Sequence, residues 1–141
     1  PSIMNVLPDT PIWSLAFRRR KRSPTDQILV DELTELILET RAVMIGPVRQ
    51  EILSEITHAS QFDKVKKRLE AFDDLTINTD DYERAAQLSN MCRGKGIQGS
   101  HIDFLICAVA ERHDTSIFTT DDDFNQYAEH IPVTLHNARM G

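Results

Sequence analysis

From Ile102 to Ala110 the only polar residue is Asp103. A helix that is apolar nearly all round belongs in a protein interior, covered on more than one side. Ser100 stands three residues ahead of Asp103, a capping-box-like helix start with aspartate in place of the usual Glu or Gln. Ile117 and Phe118 read as a short strand, and Thr119, Thr120, Asp121, Asp122 and Asp123 as the turn after it. A helix that runs into a strand lies antiparallel to it in a layered α/β unit. The first turn of the helix and the carboxyl end of the strand then share one edge of the sheet. Asp103 and Asp121, 18 positions apart, are predicted to meet there. Open α/β sheets bind ligands at that edge.

The rest of the chain supplies the other layers. Ile3 to Leu7 reads as a first strand, with Pro8 at its terminus and Asp9 just past it. Thr10 as cap and Pro11 at the first helical position open a helix through Leu15. A second helix starts near Thr25, with Leu29, Leu33, Leu36 and Ile37 at helical spacing. Val43 to Ile45 is a second strand, and Gly46-Pro47 opens a helix that carries Glu51 in its first turn and a half. A helix over 61–72, a third strand over 75–77 and a helix from Thr79 to about Arg93 follow. Val133 to Leu135 is a fifth short strand. Strands alternating with helices predict a mostly parallel sheet covered on both faces. With no linker in sight, residues 1–141 form a single domain.

Composition excludes several classes. Hydrophobic and charged fractions of 40% and 27% are those of an ordinary globular protein. No apolar run approaches a membrane span, and the first residues lack a signal-peptide pattern, so a cytoplasmic protein is expected. Cys92 and Cys107 fit no metal or redox spacing. The net charge of -6 does not advertise nucleic acid, although local positive charge suffices to bind it. Arg18, Arg19, Arg20, Lys21 and Arg22 form one basic run, readable as a solvated loop or as a phosphate-contacting rim. There is no P-loop, GxGxxG or HExxH, and no histidine partner for Ser14, Ser100 or Thr120. A phosphatase would need DxDxT after the first strand, where this chain has DTPIW; a receiver domain would need an acidic pair there.

Four acids fall at the predicted carboxyl edge: Asp9, Glu51, Asp103 and Asp121. Each alone reads as a turn acid, a solvated helix residue or a helix-start acid. Together, without a counter-ion, they would repel and take up protons. A hard divalent cation such as Mg²⁺ or Mn²⁺ answers that chemistry with oxygen ligands. Such ions orient phosphodiesters, ionise water and stabilise leaving oxygens.

Asp9-Thr10 after strand one, Glu51 after GPV, GKGIQGSHIDFLICAVA around Asp103, and TTDDDF with Thr119, Asp121, Asp123 and Phe124 together form a pattern. This pattern resembles the PIN domain, and in particular the VapC-type toxins of bacterial toxin–antitoxin pairs, over essentially the whole chain. The resemblance implies a three-layer α/β/α sandwich on a mostly parallel, five-stranded sheet. It implies a Mg²⁺- or Mn²⁺-dependent endoribonuclease that cuts structured RNA such as transfer or ribosomal RNA. Asp9, Glu51, Asp103 and Asp121 would be the catalytic and metal-binding acids. Thr10 and Thr119 would support them, and Asp123 would assist through water. A VapB-like antitoxin and a second copy of the chain are the implied protein partners. Arg18 to Arg22 would contact RNA or antitoxin. The alternative is a PIN-like module with a dead site that binds RNA or protein. Pro8 and Pro11 depart from the pattern and bear on where Asp9 sits.

Overall fold

The computed structural model describes residues 3–17 and 21–139. Its elements run β1 (Val6–Pro8), α1 (Thr10–Phe17), α2 (Pro24–Leu38), α3 (Gly46–Ser54), α4 (Ala59–Leu69), α5 (Thr79–Arg93), α6 (His101–Arg112), β2 (Ser116–Phe118) and α7 (Asp123–Ala128). The expected five-stranded sheet is corrected to two regular strands among the described residues, β1 and β2, paired in parallel.

The other three stretches lie alongside but join only through isolated bridges, Val6 with Ala42, Met44 with Asp74, and Ile117 with Leu135, all parallel. Local sequence explains the shortfall. Ile45 is already the N-cap of α3, with Pro47 in the first turn. Asn78 caps α5 directly after Ile77. Pro132 has no N–H to offer ahead of Val133. Each stretch ends before a ladder can extend.

The order across the sheet is therefore 74, 44, 6, 117, 135. The chain winds outward from β1 in one direction through 42–44 and 74, then returns through α5 and α6 to place β2 on the other side of β1. The reversal falls between β1 and β2, and crevices form at such points beyond the strand ends. Asp9 N donates to Phe118 O at 2.8 Å, so the residues leaving the two strands are held side by side.

Val6, Leu7, Ile117 and Phe118 are all fully buried. Because successive strand side chains point to opposite faces, both faces of the β1–β2 pair are covered. The buried helix over 102–110 is α6, in which Phe104 through Ala110 are buried without a break. It packs on α5 and contacts β2, while α1 contacts α2 and α3.

The passage from α6 into β2 fixes the edge at which Asp103 lies. Asp114 adopts a φ of 53° after α6, and Thr115 N donates back to Ala110 O at 2.9 Å. That is the Schellman closure, here with aspartate in the left-handed position usually taken by glycine. Thr40 closes α2 in the same way, with Arg41 N on Leu36 O. The closure turns the chain back along α6, and β2 runs antiparallel to that helix.

Candidate active site

Each acid is delivered by a different element and held by a specific donor. Asp9 follows β1 and is buried. Its Oδ1 accepts from Thr10 N at 2.8 Å and its Oδ2 from the Thr119 hydroxyl at 2.9 Å. Thr119 also accepts from Asp121 N at 3.0 Å, so one hydroxyl joins the two strand ends. Asp121 Oδ1 in turn accepts from Asp123 N at 2.9 Å at the start of α7. Glu51, on α3, accepts from the Thr10 hydroxyl at 2.9 Å.

Asp103 sits in the first turn of α6. Ser100 caps that helix by accepting from Asp103 N at 3.1 Å. The Asp103 carboxylate accepts at Oδ2 from Tyr127 at 2.7 Å.

Pro8 ends β1 within the ladder, opposite Phe118, where its missing N–H is tolerated at a strand terminus. Its carbonyl accepts from Trp13 Nε1 at 3.0 Å. Helix α1 begins at Thr10, one residue before the proline, and Ile12 N donates to Asp9 O. Asp9 is thus fixed on both sides.

Among the described residues, Asp103, Asp121 and Asp123 offer carboxylate oxygens that all lie within 4.8 Å of one another. Asp9 and Glu51 stand outside this trio and join it through Thr10 and Thr119. Burial is the main cause that pushes the Asp9 carboxyl up to about 6. Hydrogen bonds from Thr10 and Thr119 oppose it, and repulsion from Asp103 and Glu51 adds to it. Asp103 is also raised, first by burial and then by Asp121 and Asp123, against the pull of Tyr127 and Ser100.

Among the described residues, no hydrogen bond or ion pair joins these acids to a basic side chain. A donor set made wholly of carboxylate oxygens at this spacing suits a hard dication. The arrangement can bind such an ion and act on phosphate esters.

Sequence reasoning placed Asp123 as an assistant; the geometry groups it with Asp103 and Asp121. Tyr127, which meets Asp103, lies outside the sequence-predicted set. The signal for Tyr127 was the Phe124–Tyr127 spacing, which puts the tyrosine on a buried stripe where its hydroxyl needs a partner. Of the basic run, Arg18, Arg19 and Arg20 lie outside the described residues. Lys21 is exposed. Arg22 reaches back to the last carbonyls of α1, donating to Leu15 O at 3.1 Å and Ala16 O at 2.9 Å.

A parallel strand pair covered by helices, with carboxylates gathered beyond the strand ends, defines a class, the α/β domain with an acidic edge. Within that class the chain belongs to the PIN domain family, whose model matches residues 6–130. It is similar in fold to FitAcB from Neisseria gonorrhoeae, with a TM-score of 0.75 and 21% identity over 94% of this chain and 97% of that one. FitAB bound to an IR36 DNA fragment gives a TM-score of 0.73 and 20% identity over 94% of each chain. VapBC2 from Rickettsia felis, bound to a DNA fragment from its promoter, gives 0.72 and 16% over 95% of this chain and 98% of that one. No curated protein matches the chain in sequence. Among the described residues no helix is long and apolar enough to cross a membrane.

Proposed function

We propose that this chain is a Mg²⁺- or Mn²⁺-dependent endoribonuclease, the toxin of a VapC-type pair, restrained by a VapB-like antitoxin. The observation that carries the reading is the meeting of Asp103, Asp121 and Asp123 within 4.8 Å beside the buried Asp9. PIN family membership supports nuclease chemistry at such a site.

Asp103, Asp121 and Asp123 would hold the ion, with Asp9 as a further ligand, directly or through water. When bound, the ion supplies charge neutralisation at the phosphate and acidifies water. Thr119 keeps Asp9 and Asp121 in register. Glu51, oriented by Thr10, accepts the proton of the attacking water. The leaving group is the 3′ oxygen of the cut RNA strand.

Structured RNA, such as transfer or ribosomal RNA, is the proposed substrate. The basic run at 18–22 is assigned to RNA phosphates, with Arg22 also serving α1. Likeness in fold to FitAB and VapBC2 supports the antitoxin partner. Exposed Tyr82 and Ile102 support a homodimer through the α5–α6 face.

The test is cleavage of total RNA by the purified chain with Mn²⁺, Mg²⁺ or chelator. Cleavage should require the ion and disappear in a folded Asp103→Asn variant. An Asp103→Asn protein that cuts at the parent rate overturns the site. Binding of RNA with no ion-stimulated cleavage supports the binding-module alternative.

A further inference from the structure

We infer that Tyr127 is a positioning residue for Asp103, and that position 99 is glycine to make room for the phenol that does this. The inference rests on the reading of Asp103 as a metal ligand.

Tyr127 is fully buried, although it belongs to the short last helix next to the acidic turn. Its ring lies 4.9 Å from that of Phe104 and 5.2 Å from that of Phe124, centroid to centroid. Two aromatic neighbours leave the ring little freedom, so the hydroxyl is a fixed point. It donates to Asp103 Oδ2 at 2.7 Å.

Gly99 gives independent support. A Cβ at this position would lie 2.7 Å from Tyr127 Cζ, closer still to its hydroxyl oxygen, and 3.0 Å from Phe104 Cε2. The Gly99 backbone is outside the left-handed region, in contrast to Gly96 with its φ of 76°. Conformation therefore does not require glycine at 99; the phenol does.

The consequence follows from how ligands are held. Asp103 N is anchored to Ser100, whose hydroxyl also attracts the carboxylate, but the direct hydrogen bond that limits the rotation of the carboxylate is the one from Tyr127. Tyr127 fixes that rotation by holding one oxygen, and a monodentate ligand needs only the other. A partner of this kind, one step removed from the metal, typically changes affinity by ~10–100-fold when deleted. A merely structural tie between α6 and α7 would change the melting temperature and leave ion affinity alone.

The test is Mn²⁺ titration calorimetry on the parent, Tyr127→Phe and Gly99→Ala, with circular dichroism as the check of fold. Phenylalanine keeps the ring and removes only the donor. Tyr127→Phe is expected to raise the Mn²⁺ dissociation constant about tenfold, while kcat at saturating Mn²⁺ stays within about threefold. Gly99→Ala, which displaces the phenol, is expected to weaken Mn²⁺ in the same direction. A folded Tyr127→Phe protein with the parent's Mn²⁺ affinity overturns the positioning role and leaves the metal site standing. If Tyr127→Phe fails to fold, parent affinity in folded Gly99→Ala has the same force. A parent that binds no Mn²⁺ removes the metal site, and the positioning role with it.

Discussion

The Thr119 hydroxyl donates to Asp9 Oδ2 at 2.9 Å, joining residues 110 positions apart. The same oxygen accepts from Asp121 N at 3.0 Å, so the hydroxyl serves as donor to one acid and as acceptor beside another. The contact exists because β1 and β2 are adjacent and parallel, with Pro8 opposite Phe118 as the last paired residues.

Replacing Thr119 by valine keeps the volume and removes both hydrogen bonds. Asp9 loses a donor that lowers its pKa, so the carboxyl moves further up and holds its proton to higher pH. Ion-dependent cleavage at neutral pH is expected to fall by ~10–100-fold, with the acid limb of the rate profile shifted upward. An unchanged pH profile in Thr119→Val would show that the hydroxyl does not tune Asp9.

Asp9 also predicts how the ion-free protein responds to pH. Its folded value of about 6 stands above the ordinary 3.8, so the folded state binds the proton more tightly than the unfolded one. Stability therefore falls as pH rises from near 4 to 6 and stays reduced above that. The difference corresponds to ~3 kcal/mol at most. Asp9→Asn is expected to be more stable than the parent in chelator at pH 7.5, and to lose that advantage at pH 4. Urea denaturation at the two pH values measures it; equal gaps at both would contradict the burial argument.

Asp123 should matter to the ion more than its exposure suggests, because its carboxylate lies with those of Asp103 and Asp121. Asp123→Asn is expected to weaken Mn²⁺ by ~10-fold or more, and Glu51→Gln by less, since Glu51 lies outside that trio. Calorimetry ranks the two directly. Glu51→Gln should instead act mainly on kcat.

On the side of β2 away from β1, the chain's final described stretch is tied down by Glu32 of α2. This buried carboxylate takes His136 Nε2 and Arg139 Nε, and Arg139 also pairs with Glu39. The same stretch pairs with β2 through His136 N on Ile117 O at 2.8 Å. Glu32→Gln is expected to speed hydrogen exchange at the His136 amide while leaving ion-dependent cleavage within about twofold, because neither His136 nor Arg139 reaches the acids. Exchange as slow as the parent's would show that the ion pairs do not anchor this stretch.

The sequence by itself determined what depends on nearest neighbours along the chain. The apolar stretch around Asp103 became the buried α6, Ser100 became its cap, and the acids came to lie at or near helix starts and strand ends. Those follow from periodicity, capping and turn chemistry, which act over a few residues. Strand extent was less legible, because a ladder needs a partner: the stretch 42–44 makes a single bridge to each neighbour, 133–135 makes one, and 75–77 makes none, its bridge falling at Asp74. Only the tertiary structure decided which oxygens meet. It drew Asp123 in with Asp103 and Asp121, set Asp9 one hydroxyl away, and brought Tyr127 under Gly99 to hold Asp103. Such distances depend on helix placement and side-chain torsions fixed by packing between segments far apart in the chain, and spacing in sequence does not encode them.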